Sequence, residues 1–214
     1  QDVVISTAAY HKVDECETQF EKTFAVNAIA PRILAEACGE RNARLIHFST
    51  NFVFDGCGSQ PYTELDIPAP LSVYGASKLS GEHLVRATLS SHLIIRTTGL
   101  YGVAGSGAVG KGLNFIELMI KLGRERGKVS VVDDQVMTPT ATSDLAGSVK
   151  ILLESEATGT YHVTNSGACS YADFARTILE RAGVSATVSG ISTEAYGAPA
   201  RRPLYSVLDN SKLH

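Results

Sequence analysis

The chain has 214 residues, of which 44% are hydrophobic and 19% charged, with a formal net charge of −3. That size suits one large domain, or a domain with a smaller lobe, and the apolar share suffices for a sizeable core. The charge balance argues against nucleic acid as a partner, and no apolar run reaches the roughly 20 residues that span a bilayer or opens the chain as a signal peptide, so a cytoplasmic enzyme or binding protein is expected.

In chain order, short apolar runs alternate with longer helical stretches. Val3-Val4-Ile5 begins a buried strand, followed by a loop to about Glu17. Residues 20–41 have helical periodicity, with Phe24, Ile29, Ile33, Leu34 and Ala37 facing inward and Pro31 placed to bend or split the helix. A second strand at 44–49, a Gly- and Pro-bearing loop at 55–70, a helix at 72–89 and a strand at 93–97 follow. This order predicts a parallel sheet with helices on both faces, a Rossmann-like doubly wound α/β fold.

Beyond Gly102 the pattern predicts helices at 113–126, 142–155 and 171–182, the second opening on a Thr-Ser-Asp cap. Strands are predicted at 129–132 and 160–163, with a short one at 187–188. Residues 1–110 are read as a cofactor-binding unit lacking its first βαβ portion. Residues 111–214 are read as mainly a small C-terminal substrate lobe, interleaved with the sheet. Both ends look cut: the chain opens without Met and stops where Asp209-Asn210-Ser211 would begin a helix.

Tyr74 and Lys78 form a Y-x-x-x-K pair. On a helix, positions i and i+4 share a face, so a phenol and an ammonium would meet one site. The ammonium is expected to draw the phenol's pKa down, fitting it for proton transfer to a carbonyl oxygen. The spacing alone arises easily by accident. Its context adds weight, because Ser49-Thr50 ends a strand, where ligands sit in open α/β sheets. The competing account of those hydroxyls is strand-end capping. Ala8 and Ala9 end the first strand with side chains small enough for a ring or ribose to approach.

The chain resembles the dTDP-4-dehydrorhamnose reductase family of extended short-chain dehydrogenases. The resemblance rests on residues 2–14 (DVVISTAAYHKVD), 47–56 (HFSTNFVFDG), 61–78 (PYTELDIPAPLSVYGASK), 131–140 (VVDDQVMTPT) and 200–213 (ARRPLYSVLDNSKL). It implies NADPH or NADH as cofactor, a nucleotide-sugar substrate and, as a family expectation, a homodimer. Tyr74 would donate the proton to the sugar's 4-keto oxygen, Lys78 would hold the nicotinamide ribose, and Thr50 would complete the hydrogen bonds around that oxygen. Ala8, Ala9, Tyr10, Phe48 and Ser49 would line the cofactor, and Val13 and Asn51 would face the sugar.

There are three departures from the family pattern. Asn51-Phe52 replaces Asp-Tyr, Gly99 stands where many members have a tryptophan against the sugar, and Met137 stands where Gly is usual.

Gly105 to Gly110 spells G-x-G-x-x-G, but seven residues separate it from Thr97 and it does not directly follow the first strand, and Gly112 follows Lys111 where a P-loop needs Ser or Thr. A flap beside the substrate is the preferred reading. If the resemblance holds, the cofactor's own glycine fingerprint, and the residue that distinguishes NADPH from NADH, precede Gln1.

Arg201 and Arg202 are read as a phosphate clamp, against a surface ion pair. Asn114 is read as reaching the substrate's nucleotide, against capping a helix. For Asp133-Asp134 a solvated turn is preferred to a metal site, and the scattered Cys16, Cys38, Cys57 and Cys169 lack zinc-ligand spacing, so no metal is expected. Two other readings share these motifs: a non-catalytic regulatory subunit like that of methionine adenosyltransferase, and a nucleotide-sugar epimerase or dehydratase.

Overall fold

The computed structural model describes residues 2–103 and 113–213; the glycine-rich stretch at 105–111 lies outside them. Strand β1 (Val3–Ser6) leads to a short helix, α1 (Val13–Cys16). Helix α2 (Phe20–Phe24), a π-helical turn (Ala25–Ile29) and α3 (Ala30–Glu40) then run almost continuously into β2 (Arg44–Thr50). A 3₁₀ turn (Asn51–Val53) and a long loop precede α4 (Val73–Thr88), β3 (His92–Thr97) and β4 (Leu100–Tyr101). Next come α5 (Phe115–Arg126), β5 (Lys128–Val132), β6 (Val136–Met137), β7 (Thr140–Ala141) and α6 (Thr142–Glu154). The chain continues through β8 (Gly159–His162), β9 (Cys169–Ser170), α7 (Tyr171–Arg181), β10 (Thr187–Ile191) and α8 (Thr193–Tyr196).

The main sheet has the order β1-β2-β3-β8, and its three pairings are all parallel. Alternate residues of a strand point to opposite faces, and here both faces are covered. Ile46, Leu93 and Ile95 pack against Leu145, Val149 and Leu152 of α6. On the other face Leu45 packs with Ala35 and Cys38 of α3 and with Val85 of α4. Helices on both faces of a parallel sheet make the doubly wound arrangement that the alternation of elements predicts.

A second unit is built from α5, β5, α7 and β10, with β5 and β10 parallel. Its own core contains Met119, Val129, Val131, Ala175, Ile178 and Leu179. Between the elements of this unit the chain returns to the main sheet through α6 and β8, so the two are interleaved.

Several local expectations need correction. Val3 and Ile5 of the strand read as buried are exposed, as are Ile29, Ile33 and Ala37, read as facing inward. The helical run at 20–41 is interrupted by the π-helical turn Ala25–Ile29, directly ahead of Pro31 in the first turn of α3, where the missing proline N–H disturbs the helical bonding. Helix α6 is preceded by Ala141, whose side chain makes no capping bond, so the Thr-Ser-Asp run lies inside the helix. The 187–188 strand extends to Ile191 because it pairs with all of β5.

Candidate active site

Beyond the carboxyl ends of β2 and β3 lies a cleft of about 430 Å³. It is lined by the polar residues Ser49, Thr50, Asn51, Tyr74, Thr97 and Thr98 together with Gly99, Leu100, Phe115, Met137, Tyr171 and Phe174. His11, Val13 and Arg202 also border it.

Thr50 ends β2 in extended conformation and caps the 3₁₀ turn, its Oγ1 accepting the N–H of Phe52 at 3.2 Å. Tyr74 stands in the first turn of α4, whose N-cap Ser72 accepts the Gly75 N–H at 3.2 Å. Gly75 is required here, since a Cβ would come within 2.3 Å of the Phe52 carbonyl oxygen. This close approach of helix to turn brings Tyr74 to the same cleft wall as Thr50 and sets its ring edge-on to Phe52, with centroids 5.7 Å apart.

Lys78 lies one turn further along α4 and is almost fully buried. Its Nζ donates to the Phe48 carbonyl at 2.6 Å and stands 3.5 Å from His47 Nε2. Burial lowers the Lys78 pKa to about 8, against a smaller opposing effect of Glu82. The same dry surroundings, with the Lys78 charge nearby, push His47 down to about 3, so its imidazole is neutral at physiological pH.

The expectation for Tyr74 is reversed. Burial pushes its phenol up to about 12, outweighing a smaller lowering effect of nearby Thr50. Lys78 does not draw it down, because its ammonium is turned to the strand backbone. A phenol that keeps its proton at neutral pH is the form a proton donor needs.

Beneath this pair runs a buried polar seam. Ser49 donates to Glu82 Oε1 at 2.5 Å, and Glu82 accepts both Arg96 Nε at 2.9 Å and Arg96 Nη2 at 2.7 Å. This forked pair ties α4 to β2 and β3, with Arg96 over the Phe54 ring at 5.2 Å. On the adjoining side Asn27, on the π-helical turn, clasps Tyr10 by accepting its N–H at 2.8 Å and donating to its carbonyl at 3.0 Å. Asn27 also donates to Ser77 at 3.0 Å, and Gly81 packs so closely that a Cβ would lie 2.2 Å from the Asn27 carbonyl oxygen.

Of the residues singled out in the sequence, Val13, Ser49, Thr50, Asn51, Tyr74, Gly99 and Arg202 share the cleft wall. Asn51 is fixed by donating to Ser206 Oγ at 2.7 Å. Arg202 is ion-paired with Asp14 at 2.9 Å, and that guanidinium holds the Asp14 carboxyl below its usual range. Ala8, Ala9 and Tyr10 follow β1, and Phe48 contributes its carbonyl to Lys78.

Two assignments do not fit the geometry. Asn114 closes a capping box with Glu117 and donates to the Gly102 carbonyl at 3.2 Å, so its amide is engaged locally. Arg201 is exposed and does not border the cleft with Arg202. Sequence reasoning overlooked His11, Thr97, Tyr171, Phe174 and the Asn27 and Glu82 contacts. Only Glu82 left a signal, standing four residues after Lys78 on the same helical face.

The whole of residues 1–214 matches the RmlD substrate binding domain. The chain belongs to the RmlD substrate binding domain family. Among curated relatives, the spore coat polysaccharide biosynthesis protein SpsK of Bacillus subtilis is 42% identical over 98% of this chain and 71% of its own length. The dTDP-4-dehydrorhamnose reductase of Escherichia coli is 35% identical over 99% of this chain and 72% of its own. Among solved structures, the Bacillus anthracis dTDP-4-dehydrorhamnose reductase in complex with NADP superposes with a TM-score of 0.93 at 40% identity, over 99% of this chain and 73% of that one. The Clostridium acetobutylicum dTDP-4-dehydrorhamnose reductase gives 0.92 at 42% identity, over 98% and 72%. A Streptomyces venezuelae dTDP-glucose 4,6-dehydratase, at 20% identity and a TM-score of 0.81, shares the fold. Within the RmlD family, the wall formed by Thr50, Tyr74 and Gly99 is the part of this chain from which a chemistry can be read.

Proposed function

We propose that this chain carries the catalytic pair of an NAD(P)H-dependent reductase acting on a nucleotide-linked 4-keto-6-deoxy sugar, of the type that converts dTDP-4-dehydrorhamnose to dTDP-L-rhamnose. The observation that carries this reading is that Thr50 and Tyr74 line one cleft at a strand's carboxyl end, with a buried Lys78 one helical turn behind. The names of the relatives, one of them solved with NADP, agree with it.

A nicotinamide cofactor fits the donor set. An ammonium has three N–H groups, and Lys78 directs one to the Phe48 carbonyl and another towards neutral His47, leaving a donor for a ribose hydroxyl. Ala8, Ala9 and the clasped backbone of Tyr10 would border the cofactor at the end of β1, with Phe48 and Ser49 beside it. When bound, the cofactor supplies the hydride that reduces C4.

The chain's own residues do the rest. Tyr74 and Thr50 orient the 4-keto oxygen by hydrogen bonds, and Tyr74 gives up its phenolic proton to that oxygen as C4 is reduced, so the ketone becomes a secondary alcohol. Lys78, still charged near neutral pH, would use its remaining N–H to hold the cofactor's ribose beside Tyr74. Arg202 offers a fixed cation for the substrate's phosphates, and Val13, Asn51 and Gly99 border the sugar. Holding the sugar by its remote nucleotide orients C4 for reaction.

In the full-length protein, Tyr74→Phe is expected to lower kcat for dTDP-4-dehydrorhamnose by about 10²–10⁴-fold while leaving NADPH binding intact. Turnover unchanged in the variant would remove Tyr74 from the mechanism.

A further inference from the structure

Two of the positions that depart from the family pattern, Gly99 and Met137, meet in space. Gly99 has a φ of +58°, a conformation that favours glycine. A Cβ built on it would lie 2.8 Å from Met137 Sδ and 2.7 Å from the Thr138 carbonyl oxygen. One side chain, not two, can fill this part of the wall, and here it is Met137's.

Met137 is 1% exposed yet borders the cleft, so it presents one edge of an immobilised side chain. Its strand is anchored on both sides: β6 pairs antiparallel with β9, and the Thr140 N–H, just beyond it, donates to the Gly99 carbonyl at 3.1 Å. Leu100, Phe115 and Phe174 line the same cleft as Met137, and so do Thr50, Asn51 and Tyr74 with their hydroxyl and amide groups.

A 4-keto-6-deoxy sugar has groups of both kinds. Its keto and hydroxyl groups suit the polar lining residues, and its one apolar substituent is the methyl on C5. We infer that Met137, admitted by Gly99, is a specificity-determining residue that receives the C5 methyl and selects 6-deoxy sugars over their 6-hydroxyl counterparts. This rests on the reductase reading for the class of ligand, but it is measured by binding. A buried thioether edge cannot hydrogen-bond a 6-hydroxyl strongly, so that group would enter without a partner, whereas a methyl loses nothing.

The test uses the full-length protein with a dTDP-6-deoxyhexose and the matching dTDP-hexose as competing ligands, and dTDP alone as reference. The native protein is expected to bind the 6-deoxy ligand about tenfold or more tightly than the hexose. Met137→Gln, which keeps the volume, and Met137→Gly, which empties the space, should each reduce that preference to about threefold or less. In both, the affinity for dTDP alone should stay unchanged, while Met137→Leu retains the preference. A preference equal to native in a folded Met137→Gln protein, or none in the native protein, overturns the inference. If Met137→Gly does not fold, the Gln and Leu pair still decides. Failure of the native protein to turn over any 4-keto sugar would instead sink the reductase reading, leaving the ligand preference to be judged separately.

Discussion

Along β2 and β3 the face turned to α6 is dry and apolar, whereas the face turned to α4 carries His47, Ser49 and Arg96 against Lys78 and Glu82. The apolar face holds Ile46, Leu93 and Ile95 against α6 by removing their surface from water. The polar face does something costlier. It buries a carboxylate, a guanidinium and an ammonium, each of which must be matched to offset its lost hydration. In exchange, the helix that bears Tyr74 is fixed in direction by hydrogen bonds at stated atoms rather than by shape alone. The comparison teaches that one face supplies stability and the other supplies orientation.

The sharpest way to break the comparison is to remove one member of the seam. Glu82→Ala leaves the Arg96 guanidinium buried without its partner, and a loss of about 3–5 kcal/mol in urea-denaturation stability is expected. Replacing both, as Glu82→Leu with Arg96→Met, should recover most of that loss, because the desolvation of both charges disappears. If the double variant is as unstable as the single one, the seam is stabilising in its own right and the contrast between the faces fails.

On the apolar face, Leu152→Ala should cost about 2–4 kcal/mol through the cavity it leaves. The KM of the remaining folded enzyme should stay unchanged, since α6 carries no residue of the cleft wall. A KM shift in that variant would show that the two faces are not separable.

The smallest effect is graded with pH. His47 and His162 are pushed from 6.5 to about 3 and about 4, chiefly by burial. Below pH 6.5 the unfolded chain takes up protons at these rings that the folded chain refuses. Stability is therefore lost as pH falls from 6.5 towards 3–4, by up to about 1.4 kcal/mol per pH unit for each ring. Urea midpoints between pH 7 and pH 5 should show this slope, and His47→Gln should lessen it. A slope unaltered in that variant would mean that His47 protonates freely in the fold.

Much of this was legible in the residues. The alternation of short apolar runs with helical stretches announced the parallel sheet, because strands buried on both faces need near-continuous apolar runs. The Tyr74–Lys78 spacing placed both groups on one helix face, and Thr50 was found at the strand end where it belongs. The direction of the Tyr74 shift was not legible, since it depends on how far water is excluded and on where the Lys78 ammonium turns. Arg96 was invisible as Glu82's partner, because the contact joins a helix to a separate strand. Short pairings such as β6 with β9 escape periodicity altogether, being two residues long. Asn114 misled because an amide suits both a ligand and a helix cap, and only geometry separates the two.

Gly75 and Gly81 have a further consequence for α4. Each residue of this kind weakens an isolated helix by about 1 kcal/mol relative to alanine, yet a methyl at either position would drive a wedge between backbones already in contact. The segment that carries Tyr74 and Lys78 is thus poor at ordering itself and is ordered by its neighbours. Its two reactive groups come into register only when sheet, turn and helix have assembled around them. Substituting alanine there, as is often done to strengthen helices, would separate the parts it was meant to reinforce.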